Sequence, residues 1–249
     1  MKKYLLITTL FASSLAFSYE SELSIDYWTP IPDGYLKKDG TKIGLKSMLK
    51  LSTAKDFGGK LLFKEKESSN LPNIVFMYTP ISFEGQGTAD NPFSYGDITV
   101  NSGEDFEALV EYTSYDLGFL WDIGHLREKT EDRLDFRAGF SIRYIERSLK
   151  IKTGTAQTTE NHKDLKPMLD LEAEVEVLPV HQELRAEIIL EAQIYTNGNE
   201  YLFDIIDSIR MNYKNLFAEF GYREEKYKMA DGMKKVSASG IFWSLGIHF

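Results

Sequence analysis

The chain ends in KKVSASGIFWSLGIHF, residues 234–249, and this stretch alternates strictly between two kinds of residue. Every second residue, counted back from the C-terminus, is bulky and apolar: Phe249, Ile247, Leu245, Trp243 and Ile241. The residues between them are mostly small or polar, such as Gly246 and Ser244. Because successive side chains of a β-strand point to opposite faces, this period of two predicts a strand with one apolar face.

The same alternation recurs upstream, most clearly in LDLEAEVEVLP, residues 169–179. An α-helix would scatter its four acids around the surface, whereas a strand places them all on one face. We therefore predict an all-β chain with ten strands. They lie near residues 20–31, 56–66, 72–86, 104–121, 132–149, 165–178, 182–196, 202–213, 215–228 and 235–249. The segment 56–66 is the weakest, and without it and one neighbour the count would be eight.

The lengths of the strands and of their connections favour a transmembrane barrel. The strands are longer than the roughly 5–6 residues usual in globular proteins and suit the roughly 9–11 residues with which a tilted strand crosses a bilayer. Long polar connections, such as residues 85–103 and 152–163, alternate with mostly short ones such as LPVH and KN. Both termini fall on the short side, as in an antiparallel up-and-down β-barrel of the outer membrane.

The N-terminus predicts export. Lys2 and Lys3 precede an apolar run to Phe17, and Ala16 and Ser18 are the small residues of a cleavage site before Tyr19. We interpret residues 1–18 as a cleaved signal peptide and residues 19–249 as one barrel domain. No later run of 18 apolar residues predicts a membrane-spanning helix.

Composition excludes several classes of protein. Removal of Lys2 and Lys3 would take the formal net charge from −9 to −11, and so acidic a chain is not expected to bind nucleic acid. There is no cysteine, which excludes a bacterial lipoprotein and a disulfide scaffold.

The alternation alone does not say which face meets lipid, so a soluble periplasmic β-barrel remains the alternative. Aromatic residues near strand ends, including Tyr27, Trp28, Tyr115 and Tyr144, favour the membrane barrel, whose two interfaces select such rings. The polar faces would then form a charged lumen, held by ion pairs or acting as a narrow cation-preferring path. The predicted lumen network comprises Arg137, Arg143, Glu172, Glu174, Arg185, Glu187, Arg210, Glu219 and Arg223.

The last strand resembles the C-terminal assembly signal of Gram-negative outer-membrane proteins, through Trp243, Leu245, Ile247 and Phe249. The resemblance implies outer-membrane lipid, the barrel assembly machinery and periplasmic chaperones as partners. YWTPIPDGY (27–35), LPNIVFMYTPISFEGQG (71–87) and NLFAEFGYRE (215–224) also resemble a family of small Gram-negative outer-membrane β-barrel proteins without assigned activity. That family supplies no catalytic residues.

We expect a structural or narrow-channel role, with no catalytic residues, metal or cofactor, and no ligand is predicted. The alternative is a hydrolase active at the outer rim, because the strand count resembles that of the omptin proteases. His162, with Glu160 and Asp164 nearby, is the candidate for such acid–base chemistry, but a solvated loop histidine is the preferred interpretation. Residues 43–54, IGLKSMLKLSTA, are predicted to form a short amphipathic helix or part of a plug.

Overall fold

The computed structural model describes residues 19–38, 41–65, 71–130, 133–154, 156–181, 184–228 and 235–249; the predicted signal peptide lies outside these ranges. The elements are β1 (Tyr19–Trp28), β2 (Ile31–Lys38), β3 (Thr41–Gly44), β4 (Asp56–Glu65), β5 (Asn73–Thr88), β6 (Phe93–Tyr95), β7 (Ile98–Val100), β8 (Asp105–Asp122), α1 (Leu126–Lys129), β9 (Leu134–Thr153), β10 (Ala156–His181), β11 (Leu184–Thr196), β12 (Tyr201–Tyr213), β13 (Leu216–Lys228) and β14 (Lys235–His248). No helix within these ranges is long and apolar enough to cross a membrane.

Ten strands close into an antiparallel barrel, and the prediction of ten rather than eight is confirmed. The order around the barrel is β1-β4-β5-β8-β9-β10-β11-β12-β13-β14, and β14 pairs back to β1. At the seam Leu23 lies opposite Ile247 and Tyr27 opposite Trp243. Closure leaves no sheet edge within the ring, which satisfies the backbone of every spanning strand.

The two ends of the barrel differ. The terminal end holds the first and last strand ends, where the amides of Ser21 and Phe249 donate to each other's carbonyls at 3.0 and 2.9 Å. Its connections include a two-residue turn between β12 and β13, in which Lys214 adopts φ 53°. The opposite end, the loop end, holds the C-terminal ends of β1, β5, β9, β11 and β13 and the described loop residues 89–104 and 197–200.

Two predicted loops contain strands. In the first loop, β2 pairs with the part of β14 beyond the end of β1, and β3 pairs with β2. Residues 45–48 form turns, so the predicted amphipathic helix is wrong. In the second loop, β6 and β7 form a separate hairpin.

The predicted loop 152–163 is also largely strand. β9 runs to Thr153 and β10 begins at Ala156, with Gly154 at φ 46° between them. The reason is visible in the preceding residues, because Leu149 and Ile151 are buried on the inner face while Lys150 and Lys152 point outward. The alternation therefore continues past the apolar band, and the hairpin extends beyond it.

The barrel places apolar residues outside and charges inside. Exposed apolar side chains cover the outer wall, including Ile25, Phe76, Phe140, Leu169, Leu190, Ile209, Phe220 and Leu245. Buried charged side chains line the interior, including Glu22, Asp116, Arg137, Arg143, Asp204, Arg210, Glu219 and Arg223. A barrel in water would show the reverse, so this inversion is the arrangement of a transmembrane barrel.

Aromatic side chains cluster on the outer wall near the loop end. Tyr27 lies 4.9 Å from Phe57 and 5.3 Å from Trp243 between ring centroids, and Tyr115 lies 5.3 Å from Tyr78. Such rings are typical of the girdle at a membrane interface. Trp28, expected in this girdle, instead points inward and is buried.

Candidate functional site

The lumen nearest the terminal end contains a first layer of ion pairs around two arginines. Arg210 donates to Glu219 at 2.9 and 3.0 Å and to Glu22 at 3.2 Å. Arg137 donates to Asp135, Glu172 and Glu174. The Arg137 contacts join β9 to its neighbour β10, and the Arg210 contacts join β12 to β13 and to β1 beyond β14.

A second layer lies closer to the loop end and centres on Arg143. Its guanidinium donates to Asp116 at 2.6 Å and to Asp204 at 2.8 Å, and it lies 3.7 Å from Glu225. Arg223 holds the same Asp204 through two hydrogen bonds of 3.0 and 2.7 Å. The Arg223 guanidinium also lies 4.7 Å above the Trp28 ring, a cation–π contact.

Two lysines that the sequence did not single out complete the ion-pair system. Lys60 lies 2.7 Å from Glu191, and Lys64 lies 3.2 Å from Glu174. Both belong to β4, the weakest predicted strand, whose alternation of glycine, lysine and leucine is a poor signal by itself. Asp204 was missed for a related reason, because it is a single acid within the otherwise apolar start of β12.

The structure brings most of the predicted lumen residues together, but Arg185 stands apart. Its side chain is exposed at the start of β11, at the terminal end, where the interior opens to solvent. Glu187 is half-buried and accepts a hydrogen bond of 2.7 Å from the Asn212 side chain. Arg137, Arg143, Glu172, Glu174, Arg210, Glu219 and Arg223 occupy the two layers.

Beside the Arg143 layer lies a cavity of about 20 Å³, lined by Lys60, Asp116, Asp170, Gln193 and neighbouring residues. A cavity of this size has room for a single water molecule. Charged side chains and the buried apolar residues Val75 and Leu120 together surround it.

The loop end of the lumen is closed by an apolar cap, which we define as residues 31–54 and 89–104. Its buried side chains are Leu36, Ile43, Leu45, Leu49, Leu51, Ala54, Ala89, Phe93, Tyr95, Ile98 and Val100. They pack in one cluster with the inner faces of the upper strands, for example Phe106 and Leu149. Phe93 meets Phe106 edge-on at 5.6 Å.

Beneath the cap, Tyr112 and Tyr227 stack at 5.5 Å between ring centroids and reach towards each other from β8 and β13. A plug is predicted for the first loop, and the structure adds the second loop to it. The signal available for the second loop was the apolar inner face of β8, formed by Phe106, Ala108, Val110 and Tyr112, where a strand lining open water should have polar residues.

At the rim, the structure places His162 on β10 and not in a loop. Its side chain is half-buried, and its Nε2 lies 3.3 Å from Glu160 Oε1. Asp164 accepts from Arg147, and Lys166 lies 2.9 Å from Glu200. The rim acids named here are therefore all engaged: Asp164 by Arg147, Glu200 by Lys166, and Glu160 by the Tyr95 hydroxyl as well as His162.

Two shallow clefts lie on the outer wall beyond the apolar band. One, of about 440 Å³, is lined by residues that include Lys50, Glu84 and Lys150; the other, of about 540 Å³, includes Glu107 and Lys152. Both clefts contain basic and acidic side chains, so neither favours a ligand of one charge. Among the described residues, no group of three His, Asp or Glu side chains is arranged to hold a metal ion.

Glu104, at the end of the second loop, anchors the cap to the barrel. Its carboxylate accepts from the Asn101 amide at 2.9 Å and from the Thr153 hydroxyl. These donors, the Asn101 amide first, hold the pKa of Glu104 below its usual value. The anchor is therefore present in its charged form at neutral pH.

The four residues of the predicted assembly signal share the outer face of β14. Trp243, Leu245, Ile247 and Phe249 are all exposed, and Ser244 between them is buried in the lumen. Phe249 is the most exposed of the four, at 67 %.

The fold and the inverted polarity define the class: a closed, ten-stranded barrel of the outer-membrane type. No family model matches the chain, and no curated protein matches it. Solved structures with a similar fold include Ail, the attachment invasion locus protein of Yersinia pestis, in complex with a heparin analogue. Its sequence identity is 12% and its TM-score is 0.43, and the match covers 93% of this chain and 99% of that one.

Two further similar structures are transport units of autotransporters. The translocator domain of NalP from Neisseria meningitidis has 8% identity and TM-score 0.45, covering 100% of this chain and 98% of that one. The transport unit of AIDA-I from Escherichia coli has 11% identity and TM-score 0.43, covering 96% and 97%. All three are Gram-negative outer-membrane barrels, and the assignment of this fold rests on its own strand pairing.

Proposed function

We propose that this protein is an outer-membrane β-barrel of a Gram-negative bacterium, closed to solutes, with a structural or binding role at the cell surface. The observation that carries the proposal is the double closure of the lumen. Ion-paired side chains fill its lower part, and the apolar cap fills its upper part. Barrels of eight to ten strands have little interior space beyond that of their side chains.

The outer wall supports the membrane location. From Leu134 to Tyr144 the outward residues of β9 are apolar, a stretch that matches the roughly 9–11 residues a tilted strand needs to span. Beyond Tyr144 the outward residues are Glu146, Ser148, Lys150 and Lys152, which suit water and lipid headgroups. Fractionation into the outer membrane, with gel mobility that changes on boiling, is the expected result; a soluble protein of unchanged mobility would contradict it.

We further propose that the barrel is not an enzyme. Arginine or lysine engages the acids of the two layers, and neutral side chains donate to Asp170 and Glu187. A rim hydrolase would use His162, 3.3 Å from Glu160, as its base, and a hydrolytic activity of the barrel that His162→Ala abolishes would contradict the proposal.

Single-channel recording in planar bilayers tests the closed lumen. We expect no conductance steps from the intact protein, because both the Arg143 layer and the cap block the path. A variant in which a short Gly-Ser linker replaces residues 31–54 should also stay silent, since the Arg143 layer remains in place. Gel mobility before and after boiling confirms that each protein is folded.

Discrete steps from the intact protein would contradict the proposal and favour the narrow-channel role. Steps only from the linker variant would assign the closure to the cap alone.

A further inference from the structure

The upper part of β10 is paired on one side only. β9 pairs with β10 from Ala156 to Val175, but pairing with β11 starts at Leu169. Among the described residues, no strand pairs with the second edge of residues 156–168. We call the backbone groups of Gln157, Thr159, Asn161 and Lys163 on this side the free edge. It belongs to the part of the hairpin beyond the apolar band, because Lys163 lies opposite Glu146 of β9.

Pro167 shows which backbone groups face the free side. It lies opposite Ile142 in an uninterrupted ladder with β9, yet it has no N–H to donate. In antiparallel pairing every second residue directs its N–H group away from the neighbouring strand. The odd-numbered residues of this stretch, like Pro167, therefore direct their N–H groups away from β9. The amides of Gln157, Thr159 and Asn161 accordingly face the unpaired side.

The free edge is held in an extended form before any partner arrives. The β9 ladder supports it along its length, and inward contacts fix it to the cap and to the wall. Tyr95 of the cap donates to Glu160, and Arg147 donates to Asp164. A strand that is already ordered loses little conformational entropy when a second strand pairs with it.

We propose that the free edge of β10 binds an extended segment of an external polypeptide as an added antiparallel strand. Main-chain hydrogen bonds to an exposed sheet edge supply affinity in this mode of recognition, and alternate side chains supply selectivity. The outward side chains here are Gln157, Thr159, Asn161, Lys163 and Leu165. They suit a partner with polar residues along its outward face and an apolar residue near the membrane surface, whereas Lys163 is already paired with Glu146 of β9 at 2.7 Å.

A second copy of this chain fits the edge poorly. Two barrels in one membrane have the membrane normal as their two-fold axis, so both copies of β10 run from the outside inward. Their edges cannot then form an antiparallel ladder. Lys163 and Pro167 are also residue types that limit pairing between identical edges. An external segment has no such constraint on its direction.

The chain itself supplies a peptide for the test. Residues 144–153 of β9, YIERSLKIKT, already pair with β10 and place Glu146 opposite Lys163 and Ser148 opposite Asn161. A fluorescent peptide of this sequence is titrated with the full barrel in detergent, and anisotropy reports binding. The matched variants are Asn161→Pro, which removes an amide that faces the free edge, and Asn161→Ala, which keeps it.

We expect the peptide to bind the wild type and the Asn161→Ala variant equally. The Asn161→Pro variant should bind at least about tenfold more weakly, because one ladder bond is lost and the peptide is pushed away locally. Gel mobility before and after boiling shows whether each variant is folded. If Asn161→Pro does not fold, Thr159→Pro replaces it, because the Thr159 amide faces the same unpaired side.

Equal binding to the wild type and the proline variant would overturn the proposal, as would no binding to any form. If the wild type forms dimers and the peptide dissociates them, the edge belongs to a contact with a second copy, and this result would also overturn the proposal. The proposal goes beyond the closed lumen and does not depend on it, since conductance is measured separately.

Discussion

Arg143 illustrates at the residue scale how a barrel can hold buried charge. Its side chain is fully buried, and the acids that it contacts belong to β8, β12 and β13. Removing a guanidinium from water is costly, and its hydrogen bonds to Asp116 and Asp204 offset that cost. The same contacts tie three separate strands together, so the residue organises the lumen as well as filling it.

Replacement of Arg143 by alanine should therefore destabilise the barrel strongly. It would leave Asp116, Asp204 and Glu225 close together, with Arg223 still bound to Asp204. The free energy of unfolding in urea, followed by tryptophan fluorescence in detergent, should fall by about 3–5 kcal/mol.

Lys152→Ala is the matched control. The Lys152 side chain is about half exposed in its pair with Glu107, so the free energy of unfolding should change by about 1 kcal/mol or less. A similar small change for Arg143→Ala would show that the layer contributes little to stability.

At the scale of elements, the cap is a second core outside the apolar band. β2, β3, β6 and β7 are too short to be stable alone, but together they bury one apolar cluster against the upper strands. The cap is joined to the spanning part through the chain and through β2–β14 pairing. Its packing can therefore be weakened while the barrel remains closed.

Leu49→Ala should loosen the cap selectively. Leu49 is fully buried, and such a truncation typically costs about 2–5 kcal/mol, which is large for a small core. Limited proteolysis should cut within residues 31–54 faster than in the wild type, while heat-modifiable gel mobility stays the same. Lys46→Ala, an exposed position in the same turn region, should have no effect. Loss of the folded barrel in Leu49→Ala would instead mean that the cap and the barrel form one cooperative unit.

On the scale of the whole molecule, closure depends on the two chain termini. β14 pairs with β1, β13 and β2, so the last strand is joined to most of the seam. The backbone of Phe249 exchanges two hydrogen bonds with Ser21, whereas its ring is largely exposed on the outer wall. Backbone and ring thus have separable roles.

We predict that Phe249→Ala impairs assembly without destabilising the finished barrel. The substitution keeps both backbone bonds and removes only the ring that resembles an assembly signal. The amount of folded protein in the outer membrane should fall, while urea unfolding of the purified barrel should change by about 1 kcal/mol or less, because little buried area is lost.

Phe220→Ala removes an equally exposed ring from the middle of β13 and is the control for general loss of lipid contact. Equal assembly of Phe249→Ala and wild type would contradict a signalling role for the terminal ring.

The sequence by itself determined the ten strands of the barrel and the division of each into an apolar and a polar face, but not β2, β3, β6 and β7 of the cap. The two-residue period is a local property. It is recognisable at β10, where acids alternate with apolar residues, and at β14, where small or polar residues alternate with bulky apolar ones. It could not show that the loop predicted at 152–163 is a hairpin, because its outward residues are polar once the strand leaves the apolar band.

Only the tertiary structure decided what fills the lumen and what lies at its mouth. Arg143 and Asp204 are 61 residues apart, and Lys60 meets Glu191 across 131 residues, so no local pattern pairs them. The cap and the free edge depend likewise on which strands end early and which continue. Local alternation sets the direction of each side chain, whereas partners across the barrel follow from closure and register, which are properties of the whole chain.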